Sequence, residues 1–226
     1  MRPAEVHEAL LSRRSIRAYR PEPLPLPLVL EILQAASSAP SNSNTQPWRV
    51  HLLTGAPIQS LGSALEEAFI RGKHPASAHF PDTLPDEFAA RQSDFAGRYY
   101  GALGIAREDS AARARQTLKN FTFFGAPVGL IFTIDRRLHH HSWLDLGLFI
   151  QSVMLAAKAR GIDTCPQVSF SRFHEVIAAE LRLSADEETA CGMSMGYGDL
   201  CAAVNRMEMP RRRVDEFTRI VGYEPS

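Results

Sequence analysis

Residues 127–135 read Pro-Val-Gly-Leu-Ile-Phe-Thr-Ile-Asp. Successive side chains of a strand point to opposite faces, so a stretch apolar on both faces predicts a central strand covered on both sides. Just downstream, residues 142–160 place Trp143, Leu146, Gly147, Ile150, Val153, Met154 and Ala157 at helical spacing, with Gly161 as a natural stop. Leu148, Phe149 and Ala156 make the opposite face apolar as well. A helix apolar nearly all round is buried, either in the core or in a dimer interface. This strand and this helix set the frame for the remaining chain.

Moving outward, helical spacing predicts helices over 4–14, from Pro27 onward, and over 57–71, 86–101 and 107–119. Asp109 or Ser110 caps the last of these, and Ser171 caps a further helix carrying Phe173, Val176, Ile177 and Leu181. Trp48, Val50 and Leu52 alternate with Arg49, His51 and Leu53, which predicts a strand. A short strand leads to Cys165-Pro166-Gln167, and another spans 189–196. Pro21, Pro23, Pro25 and Pro27 impose an extended crossing. Residues 72–86, with Gly72, Pro75, Pro81 and Pro85, read as a loop long enough to be a candidate active-site lid. Helices interleaved with a few strands imply an α+β or mixed-sheet domain over residues 1–226, with 199–226 as a C-terminal arm.

The composition is globular, at 45% hydrophobic residues. The 25 basic and 25 acidic residues cancel, so no overall field draws nucleic acid or a membrane surface. No apolar run approaches the roughly 18 residues of a membrane span, and Glu5, His7 and Glu8 interrupt any signal core. The three cysteines, Cys165, Cys191 and Cys201, lack metal spacing and suit a reducing cytoplasm. No activating base flanks Cys165, so it reads as a packing residue. His139, His140 and His141 read as an exposed loop, because consecutive ligands point apart; no metal site is expected. Gly192, Gly196 and Gly198 do not form a dinucleotide fingerprint, and no nucleophile elbow or Walker loop is present.

The chemistry-bearing segment is Ser12 to Tyr19, Ser-Arg-Arg-Ser-Ile-Arg-Ala-Tyr. In helical form Arg13, Arg17 and Arg20 share one face. Clustered guanidiniums repel one another unless solvent, acids or a bound anion relieves them, and their planar forks suit phosphate oxygens. A solvated helix end is the alternative. A second segment, Ala39 to Trp48, is short, polar and bracketed by Pro40 and Pro47. Its Ser41, Asn42 and Asn44 also fit a plain turn.

Together, Arg-Arg-Ser-x-Arg-x-Tyr and the following Ala-Pro-Ser-x-x-Asn-x-Gln-Pro-Trp resemble the FMN-dependent nitroreductase family. The resemblance continues in Phe-Phe-Gly-Ala-Pro (123–127), Asp-Leu-Gly (145–147), Cys-Pro-Gln (165–167), Met-Gly-Tyr-Gly-Asp (195–199) and the arginines at 211–213. It implies a small mixed sheet wrapped by helices. It also implies a homodimer formed through a long central helix, with an extension reaching across the partner and FMN sites at the interface. By the same resemblance, Arg13, Arg14, Ser15 and Arg17 surround the FMN phosphate, ribityl chain and pyrimidine edge. Arg211, or Arg213 in another register, meets the phosphate. Pro40, Ser41, Asn42 and Asn44 reach the flavin held mainly by the other subunit. Pro166, Gln167 and Val168 lie along one flavin face and offer a backbone donor toward N5. Val168 stands where many members carry an acid, so only a backbone role carries over.

The implied activity is ping-pong, two-electron reduction of nitroaromatic compounds or quinones through flavin N5, with NADH or NADPH as donor. Flavin carries such chemistry and the protein orients and tunes it, so no catalytic side chain is needed. Two alternatives remain at this point: another flavin reaction on the same scaffold, such as flavin fragmentation or reductive dehalogenation, and a non-enzymatic flavin-binding protein.

Overall fold

The computed structural model describes residues 3–72 and 80–222, so residues 73–79 of the 72–86 loop lie outside the described residues. A four-stranded sheet in the order β1-β2-β4-β3 forms the centre, with β1 at Trp48–Thr54, β2 at Val128–Asp135, β3 at Asp163–Gln167 and β4 at Glu187–Gly196. The 127–135 segment is central as its pattern predicts: β2 pairs with β1 on one side and β4 on the other. Its side chains alternate between two cores. Val128, Leu130, Phe132 and Ile134 face one, and Ile131 faces the other. All three strand pairs are antiparallel, whereas a mixed sheet was expected; the parallel element among the described residues is an isolated bridge between Ser15 and Thr164.

The first core packs α2 (Leu26–Ala36) and α6 (His140–Lys158) against the sheet through Val29, Ile32, Leu146, Val153 and Ala157. Gly161, at φ +72°, lets the Ile162 amide fold back to the Ala157 carbonyl and end α6. Phe149 belongs to the core, stacked on Trp48 with centroids 4.6 Å apart, and not to the opposite face. The large apolar side chains that α6 leaves exposed are Leu144 and Leu148, at 67% and 40%. His140 and His141 form its first turn, so the histidine tract is a helix start and not a loop.

The second core packs α3 (Ala56–Ile70) and α7 (His174–Leu181) through Ile58, Leu61, Leu65 and Ile177, around Phe121, Phe123, Phe170 and Phe173. Gly129 and Gly192 make room for these rings. A Cβ on Gly129 would stand 2.7 Å from the Phe123 ring, and one on Gly192 2.7 Å from the Phe170 ring. The tight turn at Val168–Phe173 buries Phe170 and Phe173, so α7 starts only at His174. Ser171 therefore does not cap it; its hydroxyl donates to the Val168 carbonyl within the turn. Outside both layers run α4 (Asp86–Ala102) and α5 (Ser110–Leu118), the latter capped by Asp109, which accepts from the Ala112 amide. Remaining helices are α1 (Pro3–Ser12) and the short α8 (Ala203–Arg206). Among the described residues no helix is long and apolar enough to cross a membrane.

At the end of the sheet remote from α1, Glu187 is buried. Burial raises a carboxyl pKa, but Thr133, His51 at 2.7 Å and the Ser184 amide all hydrogen-bond this one and together hold it below the ordinary value. A depressed folded pKa stabilises the fold above the ordinary carboxylate value and loses that contribution as pH falls through the folded value. Glu187→Gln is expected to cost about 1–3 kcal/mol at neutral pH. In urea titrations the gap to wild type is expected to be constant above about pH 5 and to shrink below it. A gap that stays the same down to pH 3 would refute this.

Candidate active site

The Arg13–Arg20 segment is extended and not helical. α1 ends at Ser12, and the Ile16 amide donates to the Thr164 carbonyl at 3.1 Å, which ties the segment beside β3. The apolar Ile16, 3% exposed, drives this docking. In extended chain, residues i, i+2 and i+4 share a face. Arg13, Ser15 and Arg17 therefore form the aligned set. Arg20 leaves it and pairs with Glu22 at 3.1 Å.

A cavity of about 580 Å³ opens over this face. Arg13, Arg14, Ser15 and Arg17 line it from the N-terminal segment, and Asn205, Met207 and Arg211 line it from the C-terminal arm. Burial, followed by the neighbouring Arg211 charge, lowers the pKa of Arg13. Among the described residues none of Arg13, Arg14, Arg17 and Arg211 forms an ion pair with a carboxylate. Arg13, half-buried, and Arg211, exposed, bring two like charges from opposite ends of the chain to one cavity, which Glu208 also lines, and an anion there would relieve their repulsion. Of the three consecutive arginines only Arg211 lines this cavity; Arg212 pairs with Glu216 and Arg213 with Asp215.

Arg17 is the most constrained of the cluster. Its amide donates to Asn205 Oδ1 at 2.7 Å, and its guanidinium lies 5.5 Å from the Phe95 ring centroid and 5.3 Å from that of Tyr99. Asn205 also donates from Nδ2 to the Ala18 and Asp199 carbonyls, each at 2.8 Å. The sequence reading missed Asn205, Phe95 and Tyr99 as site residues. A lone asparagine in a short tail carries no spacing signal, and the two aromatics read simply as the apolar face of α4.

The remaining candidates lie elsewhere in the single chain. Pro40, Ser41, Asn42 and Asn44 do not line the cavity. They form a turn clamped to α6, where the Asn42 amide donates to Asp145 Oδ2 at 3.0 Å. Ser43, Asn44 and Gln46 hold positive φ, so this loop is strained as well as exposed. Pro166 and Gln167 end β3, and Val168 opens the following turn, half exposed. Gln167 donates to the Asn120 carbonyl at 2.8 Å while its buried Oε1 has no partner. Cys165 is buried, and burial pushes its thiol pKa up, as for a packing residue. Among the described residues no group of histidine, cysteine and acidic side chains is placed to hold a metal ion.

A family model, described as the nitroreductase family, matches residues 10–197. The chain belongs to that family. It is 48% identical over 213 residues to a 4-nitrobenzoate reductase of Pseudomonas putida, covering 94% of each chain. Among solved structures it is similar to the FMN- and NADPH-dependent nitroreductase NfnB from Sphigopyxis sp. strain HMH, at a TM-score of 0.93 and 34% identity, covering 96% of this chain and 99% of that one. It is also similar to NfnB of Mycobacterium smegmatis in complex with NADPH, at a TM-score of 0.91 and 32% identity over 96% and 98% of the two chains. The arginine segment and the Ser/Asn loop of this nitroreductase family member fall within the matched span, whereas Asn205 and Arg211 lie beyond it.

Because Asn205 Oδ1 is the acceptor for the Arg17 amide, Asn205→Ala leaves that donor without its partner and removes one of two donors from each of the Ala18 and Asp199 carbonyls. The expected cost is about 1–3 kcal/mol in urea unfolding. Unchanged stability would show that water or a neighbour replaces the side chain.

Proposed function

We propose that the protein is an FMN-dependent NAD(P)H oxidoreductase that reduces nitroaromatic compounds by ping-pong exchange. The observation that carries this is the half-buried Arg13 and the exposed Arg211, which line one cavity and form no ion pair among the described residues, although Glu208 also lines it. The family's FMN fits these residues, since a phosphate dianion supplies the charge that the pair lacks. Relatives named for FMN, NADPH and 4-nitrobenzoate support the cofactor, the donor and the acceptor class.

In this reading Arg13 and Arg211 hold the phosphate, with Arg14 and Ser15 beside them. Arg14 is already steadied by a bond from its guanidinium to the Met207 carbonyl at 3.3 Å. Arg17 lies at the pyrimidine edge, where its fixed charge favours negative charge that grows on reduction. Bound there, FMN would supply the two-electron redox chemistry between NAD(P)H and the acceptor. No side chain of the chain is assigned a proton, which water supplies. Pro166, Gln167 and Val168 present backbone along the flavin.

The site is completed in a homodimer. Leu144 and Leu148 on α6 are exposed in the single chain, as are Val214, Phe217, Ile220 and Val221 on the arm. Buried against a second copy, these surfaces bring the partner's Ser/Asn loop to the cavity. The Asp145 clamp then explains why that loop holds strained backbone: it is preorganised for a contact outside its own chain.

The purified protein is expected to be yellow, with one FMN per subunit, and dimeric by sedimentation. Arg13→Ala is expected to weaken FMN binding roughly ten- to a hundredfold, the loss of a charged hydrogen bond. Activity per bound flavin should return with excess FMN. Arg17→Ala should instead lower the potential of the bound flavin, by about 30 mV for each 1.4 kcal/mol of lost stabilisation. Release of FAD or of no flavin after reconstitution would defeat the proposal. Loss of FMN affinity alone in both variants would make Arg17 a second phosphate ligand.

A further inference from the structure

A second cavity, of about 530 Å³, adjoins the first between α4 and α5, and Arg17 and Phe95 line both. Its volume falls in the range of pockets for small organic ligands. Its walls are aromatic: Phe95, Tyr99 and Tyr100 come from α4, and Phe124 comes from the turn before β2. Gln116 and Asn120 supply amides. Among the described residues around it are two cations, Arg17 and Arg113, and neither Asp nor Glu.

Arg113 is held in place without being neutralised. Its guanidinium carbon lies 4.1 Å from the Tyr100 ring centroid, and its Nη1 donates to the Arg107 carbonyl at 3.2 Å. Among the described residues it pairs with no carboxylate. Arg91 and Arg98 on the facing helix α4 differ: Arg91 pairs with Glu87 and Arg98 with Asp94, one turn apart. Neither Arg91 nor Arg98 lines the cavity. The paired cations thus stay outside, and the unpaired, stacked one is turned to the aromatic cleft.

We propose that this cavity is an acceptor subsite for an aromatic ring bearing a carboxylate, and that Arg113 selects for the charge. The proposal rests on the nitroaromatic reading above. Flat walls accept a flat ring on its faces, and a planar guanidinium fork matches a carboxylate lying in the plane of that ring. Stacking on Tyr100 removes rotamer freedom before binding, so less is lost when the ligand arrives. A neutral acceptor gains the aromatic contacts alone.

The test uses the FMN-loaded dimer with 4-nitrobenzoate and its methyl ester, which differ at the carboxylate. In Arg113→Gln, the ratio of kcat/KM for acid over ester is expected to fall roughly ten- to a hundredfold. Arg113→Lys should restore part of it, and Arg98→Gln should keep the wild-type ratio. Benzoate, which has the ring and charge but nothing to reduce, should bind wild type by calorimetry and lose a similar factor in Arg113→Gln. An unchanged ratio, a change carried instead by the KM for NADPH, or no benzoate binding would overturn the subsite. If the ester is reduced with no preference for the acid, the subsite fails while the flavin reading stands. If neither compound is reduced, the flavin reading fails, and benzoate binding still decides the subsite.

Discussion

Ile16 buries its side chain and gives its amide to the Thr164 carbonyl, and the site depends on that one docking. Without it, residues 13–20 have no reason to leave helical conformation, and Arg13, Ser15 and Arg17 do not align. The docking fixes direction as well as position. Arg20 donates its amide to the Tyr197 carbonyl, and Asp199 donates its amide to the Ala18 carbonyl. An extended segment rich in like charges is thus laid along a sheet edge by backbone bonds and one apolar side chain, leaving Arg13, Arg14 and Arg17 without an ion pair among the described residues while Arg20 pairs with Glu22.

The cores explain why that edge is rigid enough to serve. β2 is buried on both faces, and β4 lies between β2 and β3. Glycines at 129 and 192 let aromatic rings rest directly on the sheet. A Cβ at either position would stand 2.7 Å from the ring that rests there, so the ring would have to shift. The polar network around Glu187 closes the far end of the same sheet. Stability and site geometry therefore share one frame, whereas the α4–α5 pair stands outside it and is free to vary the acceptor cavity.

The charges are sorted by the same logic. On outer surfaces arginines pair one turn away with acids, where each pair contributes little. In the two cavities Arg13, Arg17, Arg113 and Arg211 stay unpaired by any carboxylate among the described residues. Leaving cations unpaired costs stability in the empty protein. Anions would offset that cost, and this is the common basis of the roles proposed above for a cofactor phosphate and for an acidic acceptor.

Much of this was legible in the chain alone. Apolar periodicity marked β2 as central and α6 as the long helix, because burial on both faces leaves a pattern at fixed local spacing. The arginine cluster and the Ser/Asn loop were visible as residue types in order. Spacing could not tell that the Arg13 segment is extended, since that depends on Thr164, about 150 residues away. Nor could it choose Arg211 over Arg213, place Phe149 in the core, or find Asn205 and Arg113. Those assignments rest on which partner each group meets, and a partner distant in sequence leaves no local mark. The sequence by itself determined the elements and the family of chemistry. Tertiary structure decided which charges stand together and which are neutralised, because electrostatic and hydrogen-bond energies follow distance in space and not along the chain.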